Sequence, residues 1–232
     1  MTTRGKLIAV EGIDGSGKRT QVQLLEQALI KQGRDVYSTG FPQYDSWFGS
    51  MVGKFLNGEM GALETVDPHF TALLYAGDRF EAKCRIEKAL NGGKIVLADR
   101  YIGSNLAHQV ARAPAAKRPD FKQWIEHLEY TIYGLPRESL VLYLRVPPRE
   151  AQTLVTRKDA RDYTAAKQDL QEANLHHLED AAGMYDLLAA GGPPWATIEC
   201  FDRKREIMRP PEEIAMEVLS KVETILPHQD EK

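Results

Sequence analysis

The sequence predicts an α/β fold built on a parallel sheet covered by helices on both faces, and three observations carry that prediction. Short apolar runs with the composition of buried strands alternate with stretches that have helical spacing. The first such run, Leu7-Ile8-Ala9-Val10, leads into a glycine-rich segment, Gly12-Ile13-Asp14-Gly15-Ser16-Gly17-Lys18, that itself opens a helical pattern. A later run, Lys94-Ile95-Val96-Leu97-Ala98, ends on Asp99-Arg100-Tyr101. That puts charged groups at the carboxyl end of a buried strand, where open α/β sheets place their ligands.

In chain order, strands are expected at Lys6–Val10, Asp35–Thr39, Ile95–Ala98, Leu140–Val146 and Ala196–Cys200. Helices are expected at Lys18–Gln32, Ser46–Leu56, Pro68–Leu90, Ser104–Val110, Phe121–Tyr133, Arg149–Thr156, Gln168–Leu188 and Pro211–Ile225. In the first helix Val22, Leu24, Leu25, Ala28 and Leu29 recur at helical spacing, and Gly33 supplies the stop. In the long helix from Pro68, Phe70, Leu73 and Leu74 define the expected buried stripe. Ala111–Pro119 is small, basic and proline-containing, the make-up of a mobile loop. With no internal repeat and no long linker, residues 1–227 read as one domain and His228–Lys232 as a frayed tail.

Composition narrows the class without naming a function. At 232 residues the chain can bury a full core, and 43% hydrophobic with 27% charged residues is ordinary for a globular protein. A net charge of -3 makes no electrostatic case for nucleic acid or a membrane surface. Cys84 and Cys200 are far apart and lack CxxC or metal-ligand spacing, as a reducing compartment permits. No signal-peptide core opens the chain and no apolar run reaches spanning length, so a cytoplasmic location is expected.

The glycine-rich segment has the spacing of a phosphate-binding P-loop. Glycines at 12, 15 and 17 let the backbone curl with its N–H groups inward, and the next helix adds the positive end of its dipole. Lys18 then brings a full charge to the β- and γ-phosphates of a nucleoside triphosphate. The competing reading is a strand-to-helix turn that binds nothing, which loop, lysine, strand and helix together disfavour. The pattern breaks at Arg19, where Ser or Thr normally meets magnesium. Thr20 is no simple replacement, because one step along a helix rotates the side chain by about 100°. At the second site, Asp99 can hold magnesium directly or through water, and Arg100 can fork onto phosphate oxygens. Alone, the same two residues would equally make a surface ion pair.

These pieces resemble the thymidylate kinases, a family of P-loop nucleoside monophosphate kinases. The resemblance rests on Glu11–Lys18, Phe41-Pro42-Gln43-Tyr44, Tyr75-Ala76-Gly77-Asp78-Arg79, the DRYxxSxxAxQ run from Asp99 to Gln109, Gly134-Leu135-Pro136 and the arginine-bearing Arg157–Tyr163. It implies a P-loop kinase three-layer fold: a five-stranded parallel sheet, helices on both faces and a short lid at about 157–166. It implies transfer of the γ-phosphate of ATP to dTMP, giving ADP and dTDP for dTTP synthesis, with Mg2+ as cofactor and a homodimer as the assembly. Physical chemistry agrees with that reaction. A monophosphate is already an ionised nucleophile near neutral pH, since its second pKa is about 6. Positioning and charge neutralisation then carry the catalysis, and no general base is needed.

By resemblance, Gly12, Ile13, Asp14, Gly15, Ser16, Gly17, Lys18, Arg19 and Thr20 bind ATP. Lys18, Arg100 and the lid arginines Arg157 and Arg161 are the catalytic cations, because this chain has Gly15 where some relatives carry a P-loop arginine. The lid arginines would otherwise be a solvated helix face. Phe41, Pro42 and Tyr44 wall the acceptor, and Asp14 meets the sugar 3′-hydroxyl and sits near magnesium with Asp99. Tyr75 stacks on thymine and Arg79 bonds a base carbonyl; the two lie four apart on one helix face. Taken alone, Tyr75 would be core packing as readily as a base platform. Ser104, His108 and Gln109 contact base and sugar, with Asp162 and Tyr163 from the lid. His108 stands where the family usually has Tyr. Its smaller ring suggests looser rejection of ribonucleotides and a group that titrates near neutral pH. Arg19 is expected to add a cation near the phosphates. His176 and His177, adjacent on a helix, make a poor metal pair and read as surface residues.

Other functions fit parts of this pattern. A related kinase for another nucleotide, or for a deoxynucleoside, would share the P-loop, although Arg100 and the FPxY turn suit an acceptor that already has a phosphate. A nucleotide-dependent switch would share it too, but the chain has no NKxD-type guanine motif.

Overall fold

Aliphatic runs too apolar for a half-exposed strand must be covered on both sides, and that requirement organises this chain. A computed structural model describes residues 4–156 and 174–227. The first half runs β1 (Leu7–Glu11), α1 (Lys18–Lys31), β2 (Val36–Gly40), α2 (Trp47–Leu56), α3 (Pro68–Asn91), β3 (Ile95–Asp99) and α4 (Ile102–Ala111). The second half runs α5 (Arg118–Glu126), β4 (Leu140–Arg145), α6 (Pro148–Thr156), α7 (Leu175–Ala189), β5 (Trp195–Glu199), β6 (Phe201–Asp202), β7 (Ile207–Met208) and α8 (Pro211–Glu223).

The five long strands form one parallel sheet in the order β2-β3-β1-β4-β5. Leu7 pairs with Val96 and Val10 with Asp99, so the carboxyl ends of β1 and β3 finish level. From β1 the chain runs to one side of the sheet and returns through β3 to the other, which leaves a crevice outside those ends. Ile8, Ala9 and Val10 of β1, Val96 to Ala98 of β3 and Leu142 and Leu144 of β4 are fully enclosed. Each such Val, Leu or Ile side chain contributes about 1.5–3 kcal/mol by leaving water. A smaller core joins Val52, Phe55 and Leu56 of α2 to Leu63, Val66 and Leu74. Among the described residues no helix is long and apolar enough to cross a membrane.

The strands fall within a residue of expectation; several other features do not. On α3 the expected stripe is wrong: Leu74 is buried, but Phe70 and Leu73 are 44% and 38% exposed. The helix turns Thr71, Asp78 and Arg79 inward instead, because each finds partners there. Asp78 accepts from the Gln43 amide at 3.0 Å and the Ser46 hydroxyl at 2.9 Å, and Arg79 is gripped by Glu129. The segment 111–119 is not a free loop. It holds a 3₁₀ turn at Ala115–Lys117, and Arg118 donates back to the carbonyls of Ala113 and Ala111 at 3.0 and 2.8 Å. The helix expected at Phe121–Tyr133 begins at Arg118 and changes to a π-helical stretch at His127–Ile132. The β6–β7 hairpin was not foreseen, since two-residue strands are too short to show a period. His177, expected at the surface, is 5% exposed, whereas His176 is exposed.

Candidate active site

The P-loop lies between fully buried β1 and α1. Gly15 and Gly17 both have φ of 86°, a left-handed conformation that side chains resist. At Gly15 space is decisive as well: a Cβ would lie 2.1 Å from the carbonyl oxygen of Ala151, so only glycine lets α6 approach the loop. Lys18 opens α1, 7% exposed, and its ammonium donates to the carbonyls of Gly12 and Ile13, both at 2.9 Å. Ile13 and Ser16 pack inward at 1% and 3% exposure, and Arg19 and Thr20 are exposed on the first turn.

The second half of the site begins where β3 ends. Arg100 is, among the described residues, one of two non-glycine residues with a left-handed backbone, φ 68°, a strained conformation that occurs where surroundings impose it. Its guanidinium reaches back across the sheet edge to the P-loop, donating to Asp14 Oδ1 at 2.6 Å, the Gly12 carbonyl at 3.3 Å and the Ser104 hydroxyl at 3.1 Å. Burial opposes its charge, but Asp14 and the acids Asp99 and Glu11 outweigh that and keep it protonated. Helix α4 has no side-chain cap of its own. The carboxylate of Glu11, at the last position of β1 and fully buried, takes that place. It accepts from the amides of Tyr101 and Ser104 at 2.7 and 3.0 Å and from the hydroxyls of Ser104 and Tyr185 at 2.6 and 3.0 Å.

A cavity of about 1060 Å³ opens between these two halves, room for more than one small molecule. From the P-loop and α1 it is lined by Asp14, Gly15, Gly17, Lys18, Arg19 and Thr20. Asp99 and Arg100 form its floor, and Phe41, Pro42 and Tyr44 one wall, where the Phe41–Pro42 peptide is cis. Tyr75 and Arg79 of α3 and Ser104, Asn105, His108 and Gln109 of α4 close the far end. Gly12, Ile13 and Ser16 stand behind the lining, where the Gly12 carbonyl holds both Lys18 and Arg100. Arg157, Arg161, Asp162 and Tyr163 lie outside the described residues.

Three of the expected site residues have surroundings that bear on their roles, and one expectation, the titration of His108, is overturned. Arg79 is 1% exposed and bound in two-pronged fashion to Glu129, at 2.5 and 2.7 Å, so its guanidinium is fixed before any ligand arrives. His108 does not titrate near neutral pH. Burial, and next the positive charge of Arg100, push its imidazole well below the usual range, so it is neutral. Its Nδ1 faces Nε2 of His177 at 3.2 Å, and burial lowers His177 to about 4. Ser104 spends its hydroxyl on Glu11 and Arg100. Glu11, Asn105, Glu129, His177 and Tyr185 hold this arrangement together without any expected role of their own. Asn105 had a legible signal: it lies four residues before Gln109 and so shares its helix face.

For a divalent metal, hard oxygen donors are what the lining offers: the half-buried carboxylate of Asp99, Asp14 and the hydroxyl of Thr20. Among the described residues no group of three or more His, Cys, Asp or Glu could hold a metal by itself. That donor set fits an ion held mainly by phosphates and water, the usual arrangement for Mg2+.

Comparison with known proteins bears on this geometry. The family model for thymidylate kinase matches residues 10–198. The thymidylate kinase of Mycobacterium tuberculosis is 33% identical over 187 residues, 80% of this chain and 86% of that protein. A probable thymidylate kinase of Pyrobaculum calidifontis is 38% identical over 188 residues, 80% and 88% of the two chains. The solved thymidylate kinase of Candida albicans superposes with a TM-score of 0.73 at 20% identity, over 95% of this chain and 92% of that one, and so shares the fold.

Proposed function

The chain belongs to the thymidylate kinase family, and from that premise we propose how its own residues carry the γ-phosphoryl group of ATP to dTMP. One observation supports the assignment above the others. Lys18 and Arg100, two enclosed cations on different elements, meet around one carbonyl, that of Gly12, at the edge of one cavity. Lys18 and the P-loop amides take the donor phosphates; Arg100 takes the acceptor phosphate. Asp14 holds the Arg100 fork in position beforehand, so the acceptor oxygen is presented in line without a separate base. Phe41, Pro42 and Tyr44 wall the sugar, and Tyr75 faces the base. Mg2+, when bound, neutralises charge on the transferring phosphates, with Asp99 and Asp14 as its protein anchors. Arg157 and Arg161 are assigned to the transferring phosphate, and Asp162 and Tyr163 to the substrate, on the resemblance alone.

The unpaired thiols of Cys84 and Cys200 suit a cytoplasmic location. A homodimer is supported by apolar groups that the monomer leaves in water: Phe70, Leu73 and Phe80 of α3 and Trp47 of α2, between 38% and 66% exposed. A coupled ADP-release assay over a panel of monophosphates tests the function. Turnover is expected with dTMP above dCMP, dGMP and dAMP. ADP release that is equal with and without dTMP would refute it.

A further inference from the structure

The cavity wall at Phe41, Pro42 and Tyr44 belongs to the turn between β2 and α2, and the groups that hold this turn stand behind the lining. At its front end the Phe41 amide donates to the Asp99 carbonyl at 3.0 Å, one residue before Arg100. At its far end the turn closes on itself, the Ser46 amide donating to the Gln43 carbonyl at 2.8 Å. That closed end rests on Asp78 of α3, a fully buried carboxylate next to Arg79. The Gln43 amide donates to both Asp78 oxygens, at 3.2 and 3.0 Å, and the Ser46 hydroxyl donates to Oδ1 at 2.9 Å. A carboxylate only accepts and an amide only donates, so the directions are fixed. Ser46 gives its one proton to Asp78 and turns a lone pair to the Gly49 amide, at 2.9 Å, where it caps α2. Close packing serves the same contact: a Cβ at Gly77 would lie 2.5 Å from the Phe48 ring, so only glycine there lets α2 come down on α3.

We propose that Asp78 is a positioning residue that clamps the acceptor wall to α3 and so sets the width of the acceptor end of the cavity. Phe41, Pro42 and Tyr44 lie on one side of that gap and Tyr75 and Arg79 of α3 on the other. Asp78 sits between Tyr75 and Arg79 in the chain, so one rigid helix carries both the far side and the anchor of the wall. Glu81, on the next turn of α3, adds to the clamp by accepting from the Phe48 amide at 3.1 Å. Arg85 reaches the Gln43 side chain at 2.6 Å, but it is exposed, and a contact that water competes for contributes little. With the carboxylate gone, the Gln43 amide and the Ser46 hydroxyl lose their acceptor, the turn moves off α3 and the gap widens. Asparagine still accepts from the Gln43 amide and donates to the Ser46 oxygen, so it keeps the clamp without the charge. This inference rests on the cavity being the monophosphate site and names what fixes its wall.

The test uses the full chain as wild type, Asp78→Ala, Asp78→Asn, Ser46→Ala and Arg85→Ala. It measures kcat, KM for dTMP and for ATP, and calorimetric binding of dTMP without ATP. Asp78→Ala is expected to raise KM and Kd for dTMP about ten-fold, with KM for ATP unchanged and kcat within about two-fold. Asp78→Asn is expected to stay within about three-fold of wild type, and Arg85→Ala to match wild type. A substitution that only destabilises the fold lowers the active fraction, and with it kcat, and leaves both KM values alone. That pattern in Asp78→Ala, or a rise in KM for dTMP in Asp78→Asn or Arg85→Ala as large as in Asp78→Ala, overturns the proposal. Should Asp78→Ala fail to fold, Ser46→Ala decides: KM for dTMP alone is expected to rise about three-fold, and no rise overturns the proposal. Wild type that binds dTMP but releases no ADP refutes the kinase reading, and the dTMP binding of the variants then decides the inference. Wild type that turns over dTMP, with KM for dTMP unmoved in Asp78→Ala, refutes the inference alone.

Discussion

Arg100 carries the heaviest load of any single residue here. Its left-handed backbone costs about 1–3 kcal/mol, and its amide hydrogen bond to Val10 and side-chain bonds to Asp14 and Ser104 hold it there. Replacing it by Met is expected to lower kcat by about 10²–10³, the scale for losing one preorganised charge donor, measured by initial rates at saturating ATP and dTMP. His108 makes a different point. Its type and place in the motif were legible, and its ionisation was not, because burial depends on α7, far away in sequence. Since the ring is neutral, KM for dTMP should show no inflection from it between pH 6 and 8. Its smaller size than tyrosine should leave ribo-TMP a better substrate, relative to dTMP, than in a His108→Tyr variant. An equal or stricter rejection of ribo-TMP by the wild type would contradict that. Arg19 is exposed at the cavity's lip, so Arg19→Ser should weaken ATP binding more than it alters dTMP binding.

Among the elements, the start of α4 depends on a residue from another strand. Glu11 caps it from inside the core by accepting from the amides of Tyr101 and Ser104, so Glu11→Ala should cost about 1–3 kcal/mol of stability for each donor left unpaired, read by chemical denaturation. Hydrogen exchange should then rise first in the opening turn of α4. The sequence announced α4 through its motif but could not show its cap, since Glu11 lies 90 residues before Tyr101 in the chain. The strands themselves were readable because both faces are buried and the runs are continuous. On α3 the same logic failed. A helix that buries Thr71, Asp78 and Arg79 and exposes Phe70, Leu73 and Phe80 inverts the ordinary pattern. Only the partners, Gln43, Ser46 and Glu129, explain it.

Over the whole molecule, the partly buried Glu138 and the buried His177 should shape stability against pH. Burial raises Glu138 to about 7, where it accepts from the Tyr130 hydroxyl at 2.7 Å. A carboxyl raised from 4.5 contributes stability that is present below that value and lost as pH rises through about 7. His177, lowered from 6.5 to about 4, contributes stability that is present above 6.5 and lost as pH falls toward 4. From about pH 4.5 to 6.5 the two contributions offset each other, so stability should be highest in that window. Glu138→Gln should move the maximum above pH 6.5, measured as unfolding midpoints from pH 4 to 8.5. The exposed apolar groups of α2 and α3 make the association state a property of the whole surface. Leu73→Glu with Phe80→Glu should shift the proposed dimer to monomer in light scattering without unfolding it. The most direct test of the account is inhibition by a dinucleoside polyphosphate that joins adenosine to thymidine. If one cavity seats both nucleotides between Lys18 and Arg100, the compound will compete with ATP and with dTMP alike. Competition with only one of them would contradict the account.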